Sequence, residues 1–128
     1  MKLIRIVMPL LFGLAAALAP PMVDAAPSAQ ARVEIAKLIA VLGESRCQFQ
    51  RNGSWHGPAE AHAHLQRKYD YLLKKDKVDN AEQFIARVAS GSSLSGRAYR
   101  VKCGKVEQAS SAWFLSQLRR LRHTAGTR

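Results

Sequence analysis

Residues 47–55 read Cys-Gln-Phe-Gln-Arg-Asn-Gly-Ser-Trp, and this stretch decides the fold. Cys47, Phe49 and Arg51 alternate with Gln48 and Gln50, the two-residue period of a short half-buried strand, and Asn52-Gly53 is a strong turn signal that ends it. A second alternation, Tyr99, Val101 and Cys103 against Arg100 and Lys102, follows a serine and glycine loop at Gly91–Gly96. Cys47 and Cys103 are the only cysteines. An even pair in a chain sent to an oxidising compartment is expected to be joined, which holds the two strands side by side as a small two-stranded antiparallel ribbon. The bond closes a loop of 56 positions, worth roughly 4 kcal/mol in the chain-entropy model. Two cysteines with no histidine at ligand spacing make a poor zinc site.

Outward from the strands the pattern is helical. Ile35, Leu38, Ile39 and Leu42 recur at helical spacing, which predicts a helix over Ala29 to Glu44 with Ser28 as its cap. Gly57-Pro58 opens a second, Pro58 to Lys74, with His62, Leu65, Tyr69 and Leu72 on one face. Asp79 with Glu82 resembles a capping box, followed by Ala81, Phe84, Ile85 and Val88 as the buried face of a third helix that Gly91 ends. Ser110 or Ser111 caps a last helix with Phe114, Leu118 and Leu121 apolar and its arginines outward. The expected class is α+β, mostly helical: about four helices around the ribbon. Tyr69, Phe84, Trp113 and Phe114 read as core, and Trp55, following a turn, reads as closing a small core rather than as an exposed stacking platform for a glycan.

The N-terminus has the order of a secretion signal. Lys2 and Arg5 precede an apolar run from Ile6 to Ala19, and Val23 and Ala25 supply the small residues that signal peptidase requires, which places cleavage after Ala25. The run of about 14 residues is shorter than the roughly 20 needed to span a bilayer, and no later segment is apolar enough. Residues 1–25 are therefore expected to be a cleaved signal peptide, and residues 26–128 a single exported domain, periplasmic or secreted. Removal of those 25 leaves 103 of the 128 residues, one domain with a modest core.

The whole chain carries 20 Lys and Arg against 9 Asp and Glu, a formal net charge of +11. Such a balance favours anionic partners, among them lipid headgroups and acidic glycans. Apart from a denser group at Arg119, Arg120, Arg122 and Arg128, the positive residues are scattered, which argues against a nucleic-acid stripe.

Four segments in order, Cys47 to Trp55, His64-Leu65-Gln66-Arg67-Lys68-Tyr69-Asp70-Tyr71, Ser92-Ser93-Leu94-Ser95-Gly96 and Tyr99-Arg100-Val101-Lys102-Cys103, resemble the YfeK-like family of small exported bacterial proteins, a domain of unknown function. The resemblance covers about Ile35 to Leu121. It implies an uncharacterised periplasmic protein and brings no activity with it.

On the second helix Glu60, His64, Lys68 and Tyr71 lie four, four and three apart and share one face. That face reads either as an ordinary solvated surface or as a binding surface, with His64 titrating near neutral pH and Lys68 contacting an anion. The leading expectation is a non-enzymatic module without cofactor or metal that binds an anionic envelope component or another envelope protein. Its surface is built from Arg51, Asn52, His64, Lys68, Tyr71, Ser92 and Ser95. Arg51 has a competing reading as partner of Asp70 or Glu82. The alternatives are a small hydrolase using Ser95 and His64, which lacks a Gly-x-Ser-x-Gly elbow, and a purely structural or stress-related envelope protein. His62 and His64, two apart on a helix, point to different faces and do not chelate one metal together. The protein recovered from an expressing cell's envelope is expected to begin at Ala26, which N-terminal sequencing checks; a chain still beginning at Met1 contradicts the signal.

Overall fold

The computed structural model describes residues 27–126 together with Leu3 and Gly13. The signal peptide assigned to residues 1–25 otherwise lies outside the described residues, as does Arg128. The elements run α1 (Ala29–Glu44), β1 (Gln48–Arg51), β2 (Ser54–His56), α2 (Pro58–Lys74), α3 (Ala81–Phe84) continued by a π-helical turn at Ile85–Ala89, β3 (Arg100–Cys103), β4 (Val106–Ala109) and α4 (Ser110–Gly126). Among the described residues no helix is long and apolar enough to cross a membrane.

The expected mostly helical α+β class with four helices is present, but the two-stranded ribbon is an undercount. All four strands form one antiparallel sheet in the order β2-β1-β3-β4. Asn52 (φ 49°) and Gly53 (φ 83°) are both left-handed, the geometry of a two-residue hairpin turn, so the chain does not stop at Arg51 but returns as β2. Gly104 (φ 62°) performs the same reversal after Cys103 and produces β4.

At the centre β1 and β3 pair with Phe49 opposite Val101 and Gln48 opposite Lys102. Continued one residue outward, the same register sets Cys47 against Cys103, which are bonded with their Cα atoms 4.3 Å apart. Alternation sends Phe49 and Val101 to the covered face, where α1 packs on α2 and α4, and leaves Gln48, Lys102 and Glu107 on the open face. Trp55 lies in an open-face row with Gln50 and is 37% exposed, contrary to its core reading. His56, its neighbour, takes the inward side of β2.

Trp113 fills the apolar position instead. Phe49, Trp113, Phe114, Phe84 and Tyr69 form a continuous run of edge-to-face ring contacts, with centroids 4.8–6.0 Å apart, linking the sheet to α4, α3 and α2. The helix ends follow the sequence closely: the Ser28 hydroxyl accepts from the Ala31 N–H, and Pro58 opens α2. The capping box of α3 is displaced by one residue, because Asn80 Oδ1 accepts from the Gln83 N–H while Gln83 Oε1 accepts from the Asp79 N–H. Glu82 is thereby released to meet Arg122, which also holds Glu34 through two nitrogens and so joins α4 to α1 and α3. Replacing both Cys47 and Cys103 with serine is expected to lower stability by roughly 2–4 kcal/mol, read as a lower urea midpoint. An unshifted midpoint would show that the sheet does not need the bond.

Candidate functional site

Arg51 ends β1 and Tyr99 precedes β3, and the central register, continued to this other end, sets them side by side on the covered face. His64 and Lys68, one turn apart on α2, meet them there. Arg51 Nη1 lies 2.5 Å from His64 Nδ1, and His64 Nε2 lies 3.1 Å from the Tyr99 hydroxyl. A guanidinium only donates, so Nδ1 accepts and the proton of the neutral ring sits on Nε2, which donates to Tyr99. Lys68 Nζ donates to the Gly91 carbonyl at 2.6 Å, lies 3.5 Å from the Tyr99 oxygen and stands 5.1 Å over its ring. The Tyr99 oxygen thus accepts from His64 and, at longer range, from Lys68, and among the described residues no acceptor meets its own hydroxyl proton.

The Gly91–Gly96 loop forms the facing wall. A side chain at Gly91 would place its Cβ 3.0 Å from the Arg97 carbonyl oxygen, so this close crossing favours glycine. Ser92 Oγ accepts from the Leu94 and Ser95 N–H groups, and Ser95 Oγ accepts from the Arg97 N–H while donating to Asn52 Oδ1 at 2.6 Å. Asn52 and Ser95 therefore latch the loop to the β1–β2 turn.

Between loop, hairpin and α2 runs a groove of about 920 Å³. Arg51, Arg67, Lys68 and Lys77 line it, with no Asp or Glu among its lining residues. None of these four cations has a carboxylate partner among the described residues; Arg100 pairs with Glu107 and Arg122 with Glu34 and Glu82, while Glu60 lies against His56, a groove-lining residue. Burial, reinforced by Arg51, Lys68 and Arg67, pushes the His64 ring down to about 4, so it is neutral at pH 7. Burial also lowers Lys68 and raises Tyr99.

Arg51, Asn52, His64, Lys68, Tyr71 and Ser92 all line this one groove, and Ser95 secures its wall. Tyr71, 62% exposed, stands at the rim. The second-helix face is not a simple solvated surface: Glu60 and Tyr71 are exposed at its ends, while His64 and Lys68 at its centre are half-buried against Tyr99. Arg51 pairs with neither Asp70 nor Glu82, since Asp70 is taken by Gln66 and Glu82 by Arg122. Ser95 does not line the groove that His64 lines, and its hydroxyl proton goes to Asn52. Sequence reasoning assigned Tyr99 to a strand only and passed over Arg67 and Lys77. The alternation that puts Val101 inward also puts Tyr99 inward, which was the available signal for it.

The comparisons with known proteins concern this same domain. A family of unknown function, DUF5329, matches residues 29–122, from the first residue of α1 to near the end of α4. The chain belongs to this family. It is also similar to the uncharacterized protein YfeK of Salmonella typhimurium, 40% identical over 70 residues that make up 55% of this chain and 56% of that protein. The match thus spans little more than half the length of the curated relative. No solved structure matches the chain. Membership in DUF5329 assigns the chain no chemistry, so the groove is read from its own residues.

The lowered His64 makes this DUF5329 domain acid-sensitive. In the unfolded chain the ring takes up its proton near pH 6.5, whereas in the fold it does so only near 4, so protons favour unfolding between those values. Urea midpoints are expected to fall from pH 7 to pH 4.5 in the wild type and to fall less in His64→Gln. Equal falls would mean that the ring does not titrate as its surroundings dictate.

Proposed function

We propose that this domain is an exported, non-enzymatic binding module that captures an anionic group of a cell-envelope partner in the groove between α2, the β1–β2 hairpin and the Gly91–Gly96 loop. One observation carries the reading: Arg51, Arg67, Lys68 and Lys77 converge on the groove with no carboxylate partner among the described residues. Arg51 and Lys68 are half-buried, Arg67 and Lys77 exposed; like charges held near one another cost electrostatic free energy, most for the half-buried pair, and an anion in the groove removes that cost. The donors are already oriented. Arg51 is fixed by His64, Lys68 by the Gly91 carbonyl, and the Tyr99 proton has no acceptor among the described residues.

Convergence of the cations on one concavity suits a compact anionic group better than a nucleic-acid strand, which is tracked by a stripe of charge with stacking aromatics. The hydroxyl of Ser95 is given to Asn52 and the Nδ1 lone pair of His64 to Arg51, which supports binding over hydrolysis.

Retention of the mature domain on anionic lipid vesicles or on peptidoglycan is expected to fall with salt and to weaken roughly tenfold in Arg51→Ala and in Lys68→Ala, the scale of a lost charge-assisted hydrogen bond. Retention should strengthen as pH falls from 7 toward 4, because an anion beside His64 favours its protonated form. If wild type and both variants are retained alike, the groove is not the site.

A further inference from the structure

Beneath the cationic groove lies a second, smaller cavity of about 220 Å³. Leu42, Phe49, Ala61, Ala63 and Leu65 give it apolar walls, and all but Ala63 of these are buried core residues. Arg51, His64, Arg67 and Tyr99 line the cavity and the groove alike, so the two meet at the ring of donors. Glu60 also lines the cavity; its Oε2 lies 2.6 Å from His56 Nδ1 and its side chain is 73% exposed, so its carboxylate is directed to water. An apolar recess that ends at uncompensated cations is the mould of a molecule with one apolar end and one anionic end.

We propose that cavity and groove together form one bipartite site for a single-tailed amphiphilic anion of the medium-chain carboxylate class. The head lies against Arg51, Lys68 and the Tyr99 hydroxyl, and the tail enters between Phe49 and Leu65. The proposal rests on the anion-binding reading above and adds to it the tail and its length. An apolar protein cavity of about 150 Å³ accepts benzene, and by the same proportion this one accepts a tail of about eight carbons. Each methylene withdrawn from water there adds to affinity, which a head-only anion does not gain.

Isothermal titration of the mature domain at pH 7 and low salt with octanoate, acetate and octanol separates the two parts. Octanoate is expected to bind at least tenfold more tightly than acetate, which has the head alone, and than octanol, which has the tail alone. Ala63→Phe, at a half-buried position on the cavity wall, should abolish the advantage of octanoate over acetate without altering acetate binding. Acetate binding lost in Arg51→Gln, with octanoate no tighter than acetate in the wild type, overturns the tail and leaves the anion site standing. Binding of none of the three overturns both. Vesicles of phosphatidylglycerol test the single tail: retention that Ala63→Phe abolishes, with octanoate no tighter than acetate, overturns the single-tailed acid in favour of a two-chain lipid, whereas tight octanoate binding without such retention supports the free acid.

Discussion

The pairing of β1 with β3 is the constraint on which the rest depends. One register fixes Cys47 against Cys103 at one end of the pair and Arg51 beside Tyr99 at the other. A slip of one residue would put Phe49 and Val101 on opposite faces of the sheet, and Arg51 and Tyr99 likewise, destroying core and site together. The disulfide, closing a separation of 56 residues, therefore helps to specify the register as well as to restrict the unfolded chain. Because Phe49 begins the run of ring contacts through Trp113, Phe114, Phe84 and Tyr69, that register also determines how the helices seat.

The site is built against the preferences of its own components. Arg51 and Lys68 would each be better solvated apart, and His64, held between them, is driven to about 4 by burial and by their charge. Neutrality of the ring is what lets a cation sit beside it, since a neutral imidazole accepts from Arg51 through one nitrogen and donates to Tyr99 through the other. Arg122, by contrast, is met by both Glu34 and Glu82. That the groove is left uncompensated is the basis for reading it as a site for an anion.

Much of this was legible in the sequence, because it is written in local pattern. The limits of α1 and α2 follow from Ser28, Pro58 and the apolar spacing, and the two cysteines could bond only with each other. The strands β2 and β4 were missed since three or four residues without clear alternation carry little signal, although Asn52-Gly53 and Gly104 marked both reversals. Asp79 and Asn80 are chemically similar caps one residue apart, and only the reach of Gln83 back to Asp79 decides between them. Trp55 was misplaced because its burial depends on which face of β2 the helices cover, a tertiary fact. The site residues were identifiable from motif and helical face, but their union in one groove needs the crossing of the Gly91–Gly96 loop over α2, which no local pattern encodes.

The state of one imidazole reports most directly on the site. Proton-detected NMR titration of the His64 ring, without ligand and then with saturating octanoate, reads its protonation midpoint in each condition. The account predicts a midpoint near 4 in the free domain that moves upward when the anion enters the groove. A midpoint at the ordinary value near 6.5 that octanoate does not move would contradict both the cationic cluster and its role.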